Sequence, residues 1–141
     1  MVTVNTGQAE RQALLCPHEH GVRVLVVDDY ADSVDSMATL LRLYGHEVET
    51  ALGGSAALRA ARANPPTVVL LDLSMPAVDG YEVARQLRLM FQRRVILIAL
   101  TAHGYEEDKR RCLHAGFDRY FSKLVDPVEV EQRLRELALL L

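Results

Sequence analysis

Three acids, a hydroxyl and an ammonium stand where apolar runs stop in this chain. "VRVLVV" runs into Asp28 and Asp29, "TVVLL" into Asp72 and "RVILIAL" into Thr101, while "DRYFS" is followed at once by Lys123. A carboxylate ending a run as apolar as Val68, Val69, Leu70 and Leu71 is costly unless neighbours stabilise its charge. Three carboxylates brought together repel one another, and a cation is needed to hold them. A hard divalent ion suits them. Mg²⁺, or Mn²⁺ in its place, takes oxygen ligands and keeps several waters, so one or two carboxylates, a carbonyl and a phosphate oxygen suffice. Asp29, Asp72 and the backbone carbonyl of Ser74 are placed to supply them. Asp72 is the best nucleophile of the set, since a carboxylate attacks phosphorus to form an acyl phosphate once the charge on the transferring group is neutralised. Lys123 and Thr101 would then pair with or hydrogen-bond the phosphoryl oxygens from other sides.

These groups meet only if the apolar runs lie side by side. From residue 23 the chain alternates strand and helix five times. "VRVLVVDD" reads as the first strand, and "ADSVDSMATLLRLYG" follows with Val34, Met37, Leu40, Leu41 and Tyr44 at helical spacing before a glycine stop. "HEVET" is a short second strand, and the alanine-rich "GSAALRAARANPP" is helical until Pro65 and Pro66 end it. The third strand leads through "SMPAVDG" into the helix "DGYEVARQLRLMF". "RVILIALTA" is the fourth strand, "YEEDKRRCLHAG" a helix with a glycine stop, "DRYFS" the fifth strand and "DPVEVEQRLRELALLL" the last helix. Strands alternating with helices at this spacing predict right-handed crossovers and a doubly wound, five-stranded parallel α/β sheet covered on both faces. In such sheets ligands bind outside the carboxyl ends of the strands, where all five groups stand.

Composition bounds the function classes. The chain has 141 residues, half of them hydrophobic, which suits one domain with a sizeable core. Its formal charge of −3 gives no basic field for a phosphate backbone, so direct nucleic-acid binding is not expected. Cys16 and Cys112 make no disulfide framework, which points to a reducing, cytoplasmic setting. No run of eighteen apolar residues occurs and the N-terminus has no signal-peptide pattern, so neither secretion nor membrane insertion is expected. Residues 1–21 match no unit of the alternation and read as a flexible extension, with the domain proper over 22–141.

Through "VLVVDD", "VVLLDLSMPAVDG", "IALTA" and "DRYFSKLVDP" the chain resembles the receiver domains of two-component response regulators. Each motif alone is weak, but their order is specific. The resemblance implies a flavodoxin-like fold with strand order 2-1-3-4-5, Asp72 as phosphoacceptor, Asp28 and Asp29 as the acidic pair that binds the metal with Asp72 and Ser74, Thr101 as switch hydroxyl, Lys123 as the phosphate-contacting lysine and Tyr120 as switch aromatic. It implies a histidine kinase or histidine phosphotransfer protein as phosphodonor and a downstream protein target, in a monomer or weak dimer with only weak self-phosphorylation and autodephosphorylation. With no output domain after the last helix, the reading is a single-domain response regulator. "DGYEVARQLR" and "EEDKRRCLHAGFDRYFSK" resemble receivers attached to hybrid histidine kinases, so a phosphorelay module acting as relay or sink is the alternative.

Competing readings are weighed on the same residues. Asp28 and Asp29 could cap the next helix, and Tyr120 could be plain packing. Cys16, His18 and His20 have a spacing open to a soft metal, though a mobile tail suffices. An aspartyl phosphatase of the haloacid dehalogenase kind also uses a strand-end Asp, but the second acid two residues on is missing, since Ser74 stands there. An FMN carrier shares the strand pattern, yet "DDYADS" would repel the FMN phosphate. Most receivers place Pro after the lysine; here Leu124 follows Lys123, which predicts a trans peptide and a less firmly aimed ammonium. Ser74 and His103 occupy the positions that tune phosphoryl lifetime in the family.

Overall fold

The computed structural model describes residues 21–73, 75, 79–102 and 106–140. Five strands, β1 (Arg23–Asp28), β2 (Glu47–Leu52), β3 (Val68–Asp72), β4 (Ile96–Thr101) and β5 (Arg119–Ser122), form one parallel sheet in the order β2-β1-β3-β4-β5. Five helices connect and close it: α1 (Ala31–Leu43), α2 (Gly54–Ala63), α3 (Gly80–Phe91), α4 (Glu106–Ala115) and α5 (Pro127–Ala138).

The two faces of the sheet follow from side-chain alternation. Val24 and Val26 of β1, Val68 and Leu70 of β3 and Ile96 and Ile98 of β4 pack with Val34 and Leu41 of α1 and Val130 and Leu134 of α5. The intervening Leu25, Val27, Val69, Leu71, Leu97 and Ala99 pack with α2, α3 and α4. Burial on both faces accounts for the unbroken apolar runs.

Two boundary differences from the sequence reading bear on the packing. The second strand continues through Ala51 and Leu52, which pair with Val27 and Asp28. Ala and Leu favour helix locally, but the backbone groups of β1 are available over that length, and pairing overrides propensity. Gly53, at φ 105, then turns the chain into α2. At the other end α5 stops at Ala138. Leu137 and Ala138 pack on the α1–α5 side of the core, whereas Leu139 and Leu140 are exposed.

Two polar networks tie distant segments. The Arg88 guanidinium donates to the carbonyls of Gly116 (2.6 Å), Val95 (2.8 Å) and Gln92 (2.5 Å) and to Asp118 Oδ2 (2.8 Å), which also accepts from the Leu97 amide. Gln92 adopts φ 53, ψ −126 at the end of α3, a conformation suited to glycine. Its carbonyl is thereby presented to Arg88. Gln92→Gly should raise stability by about 1 kcal/mol, read as a higher urea midpoint at unchanged slope. A lower midpoint would show that the Gln92 side chain contributes more than the strain costs.

The second network is buried. His46 Nδ1 accepts from the Val22 amide (3.1 Å), so the ring proton sits on Nε2 and is donated to Glu131 Oε2 (2.6 Å). Both side chains are fully buried, and Glu131 Oε1 faces Arg135 Nη2 at 3.1 Å, an ion pair without hydrogen-bond alignment. This joins the entry of β1 and β2 to α5.

Candidate functional site

The strand registers place the chemistry at one edge. Asp28 pairs in register with Leu52, Asp72 with Leu100, and Thr101 with Ser122, immediately before Lys123. Asp28 (7 % exposed), Asp72 (2 %) and Thr101 (4 %) are buried there, and Asp29 is exposed. One carboxylate oxygen from each of Asp28, Asp29 and Asp72 lies within 4.8 Å of the others, close enough to ligate one cation.

Local structure fixes each group. Asp28 Oδ1 accepts from the backbone amides of Asp29 (2.7 Å) and Tyr30 (3.3 Å), an Asx turn that holds its other oxygen toward the cluster. Helix α1 begins after Tyr30 with no side-chain cap, so the capping reading of Asp28 and Asp29 does not hold. On the far side of the site Asp79 caps α3 through the Tyr81 amide (3.0 Å). A Cβ on Gly80 would lie 2.9 Å from the Leu73 side chain, so glycine lets α3 begin close to the end of β3.

Lys123 crosses the site. Its amide donates to the Thr101 carbonyl (2.8 Å), and its Nζ lies 2.8 Å from Asp72 Oδ2 and 3.8 Å from Asp28 Oδ2. No cis peptide occurs among the described residues, so the Lys123–Leu124 bond is trans as expected. The amide bonds of Lys123 and of Leu124, which donates to Ser122 Oγ (3.2 Å), set the turn without proline. Leu124 itself is 94 % exposed.

The acids and the lysine shape one another electrostatically. Burial, then the hydrogen bond and charge of Asp72, push the Asp28 carboxyl up from 3.8 to about 6 against the opposing pull of Lys123 and the Tyr30 amide. Burial disfavours the Lys123 charge, but the hydrogen bond to Asp72 and the charges of Asp72, Asp28 and Asp29 outweigh it and raise its pKa. Three carboxylates against one ammonium are a donor set matched to a hard divalent ion.

Asp28 therefore links stability to pH. The folded state holds its proton more tightly than the unfolded chain, so the stabilisation is complete below pH 3.8 and lost as pH rises through about 6. Without metal, wild type relative to Asp28→Asn should gain about 1 to 1.5 kcal/mol between pH 7.5 and 5, read by urea unfolding. Saturating Mg²⁺ should flatten that difference, since a ligand carboxylate must be ionised. A difference that does not change with pH would remove the assigned coupling of Asp28 to its neighbours.

Tyr120 lies half-buried in β5, in register with Ala99, packed on the α2–α4 side of the core. Ser74 lies outside the described residues, as do His103 and the Cys16, His18 and His20 tract. Cys112 is buried in the core. Sequence reasoning passed over the neighbours that orient the site: the Tyr30 amide, the Thr101 carbonyl and the cap at Asp79. Only the last had a signal, an Asp-Gly at a helix start.

The family model of the response regulator receiver domain matches residues 24–135, and the chain belongs to that family. The transcriptional regulatory protein PrrA of Mycobacterium tuberculosis is 41% identical over 115 residues, covering 82% of this chain and 49% of that protein. Hybrid signal transduction histidine kinase L of Dictyostelium discoideum is 32% identical over 123 residues, 81% of this chain and 7% of that one. The chain thus spans about half the length of the transcriptional regulators it matches, and those regulators exceed the hybrid kinase in identity. The crystal structure of a CheY-like receiver domain protein from Methanospirillum hungatei superposes with TM-score 0.78 at 26% identity, covering 84% of this chain and 94% of that one. Response regulator protein TrrA of Thermotoga maritima, solved in complex with Mg²⁺-BeF, superposes with TM-score 0.72 at 30% identity over 82% and 97%. Receiver domains are phosphoacceptors rather than classical enzymes, and the phosphatase and FMN-carrier readings fall with the family assignment.

Proposed function

We propose that Asp72 accepts a phosphoryl group from the phosphohistidine of a histidine kinase or histidine phosphotransfer protein, and that the domain signals through a changed protein-binding surface. The observation that carries this reading is the buried Asp72 carboxylate, 2.8 Å from Lys123 Nζ and within shared ligand reach of Asp28 and Asp29. An Asp72 oxygen attacks phosphorus, the bond to the donor imidazole nitrogen breaks, and the nitrogen keeps the electron pair. Asp28, Asp29 and Asp72, with the Ser74 carbonyl in the family manner, would hold Mg²⁺ or Mn²⁺, which would neutralise charge on the phosphoryl oxygens. Lys123 transfers its hydrogen bond from Asp72 to a phosphoryl oxygen, and the buried Thr101 hydroxyl donates to another.

The readout in this proposal runs from Thr101 through Tyr120 to the face of α4, β5 and α5, where a downstream protein binds. The receiver domain is taken as 22–141 after an extension over 1–21, acting in the cytoplasm as a monomer or weak dimer and without nucleic-acid contact of its own. No helix among the described residues is long and apolar enough to cross a membrane. The match to a hybrid kinase favours a second reading, a relay or sink in a phosphorelay, which onward transfer to a phosphotransfer protein would distinguish.

The test is incubation with a small phosphodonor and Mg²⁺ followed by intact mass. One added phosphoryl group, absent with chelator and released by hydroxylamine, is expected of an acyl phosphate. No adduct, or one resistant to hydroxylamine, would overturn the reading.

A further inference from the structure

His46 and Glu131 are titratable groups that the phosphoryl chemistry does not use, and both side chains are fully buried. The imidazole is clasped from two elements: Nδ1 accepts from the Val22 amide at 3.1 Å, and Nε2 lies 2.6 Å from Glu131 Oε2 of α5. An Nδ1 that accepts carries no proton, so this arrangement requires a neutral ring. The charges around it are few. From α5 come Glu131 itself and Arg135, whose Nη2 is 3.1 Å from Glu131 Oε1. Arg23 of β1 and Glu47 of β2 pair with each other at 2.9 Å on the exposed side, and Arg42 of α1 donates to the Val48 carbonyl. Among the described residues, Glu131 is the one charged group within hydrogen-bond reach of the ring.

A second proton reverses one of the two bonds. An imidazolium carries N–H on both nitrogens, so Nδ1 becomes a donor facing the Val22 N–H, while Nε2–H stays on the Glu131 carboxylate. Turning the ring over does not help, because either nitrogen then presents a proton to the amide. Two donors cannot bond, and the Val22 amide must leave or stay unpaired. The carboxylate, by contrast, bonds more strongly to an imidazolium than to a neutral ring. Acid therefore tightens the contact to α5 and breaks the contact to the entry of β1. The Val22 carbonyl still accepts from the Glu47 amide (3.0 Å), so it is the chain before residue 22 that comes free. A groove of about 580 Å³, lined by Gly21, Val22, Gly45, His46, Glu47 and Thr67 among others, adjoins the ring and gives the released amide a place to meet water.

We propose that His46 is a proton-operated latch on the N-terminal end of β1. With a neutral ring it ties Val22 to α5 through Glu131; with a protonated ring it keeps α5 and releases the Val22 amide. The chain leading into Arg23 then hinges on the bond between the Glu47 amide and the Val22 carbonyl. The latch stands where β1 and β2 begin, at the sheet edge opposite the end of β3 that carries Asp72. It gives the domain an input, acidity, that is separate from its phosphodonor and metal.

The experiment is an acid titration of the full, isotope-labelled chain from about pH 8 to about pH 5, without phosphodonor or Mg²⁺, following the His46 ring nitrogens by NMR together with the hydrogen-exchange protection of the Val22 amide. At the alkaline end the ring should show a bare Nδ1 and a protonated Nε2. As the ring takes its second proton, protection at Val22 should fall about tenfold after correction for intrinsic exchange, while protection at Val69 in β3 holds. Glu131→Gln keeps the shape and an acceptor for Nε2–H but lacks the charge, so its transition should shift to lower pH. His46→Asn offers Val22 an acceptor that takes no proton, and protection there should stay level across the range. Val22 protection that holds through ring protonation, a ring that stays neutral down to about pH 5, an unshifted transition in folded Glu131→Gln, or the same acid loss in folded His46→Asn would each overturn the proposal.

Discussion

Asp72→Asn will take up no phosphoryl group under conditions that label the wild-type chain once. The carboxamide matches the carboxylate in shape, so the end of β3 keeps its packing at a position only 2 % exposed. What disappears is the nucleophile, because an amide oxygen does not displace an imidazole from phosphorus to leave a stable acyl phosphate. The charge consequences are opposed. Lys123 loses the charge of its 2.8 Å partner but keeps Asp28 at 3.8 Å, while Asp28 loses the neighbouring charge that helps to raise its pKa. The variant should therefore fold, with stability within about 1 kcal/mol of wild type at pH 7. Intact mass and urea unfolding on the same sample separate chemistry from structure. Wild-type labelling in a folded Asp72→Asn would move the nucleophile elsewhere and sink the assignment.

Glu131→Ala will be among the most destabilising single substitutions in the chain. Glu131 is fully buried beside His46, whose Nε2–H it accepts at 2.6 Å. Truncation strands that donor and opens a void between α5 and the start of β2. It also leaves Arg135, 20 % exposed, without its carboxylate. Removing one partner of a buried pair costs ~3–5 kcal/mol, a large share of the ~5–15 kcal/mol that a domain has in total. The loss should read as a lowered urea midpoint at constant slope. Glu131→Leu combined with His46→Leu replaces the pair by apolar volume and should recover much of the loss, though the Val22 amide then lacks its acceptor. A cost below ~1 kcal/mol for Glu131→Ala would show that water reaches the pair.

Neither the Arg88 network nor the buried His46–Glu131 pair bears on which residues do chemistry, and the sequence is informative there for a physical reason. A parallel sheet buried on both faces must be built from unbroken apolar runs, and a charged residue is tolerated only where a run stops. Asp28, Asp72 and Thr101 are legible because each ends such a run, Asp29 because it follows at once, and Lys123 because it follows the fifth strand directly. The alternation of five runs with five helical patterns then fixes the fold class, and with it the shared edge. The end of the second strand carried no such signal: Ala51 and Leu52 have helix-favouring side chains, and only the backbone of β1 alongside makes them strand.

Sequence by itself therefore determined the alternating architecture, the family and the set of groups at the sheet edge. Tertiary structure alone decided how those groups meet. Lys123 reaches Asp72 across 51 positions, Arg88 reaches Asp118 across 30, and His46 reaches Glu131 across 85. Local rules of capping, spacing and propensity act over about one helical turn and carry no information about such pairs. The aim of Lys123 despite a trans bond to Leu124 depends on amide bonds to β4 and Ser122, which exist only once the sheet has closed.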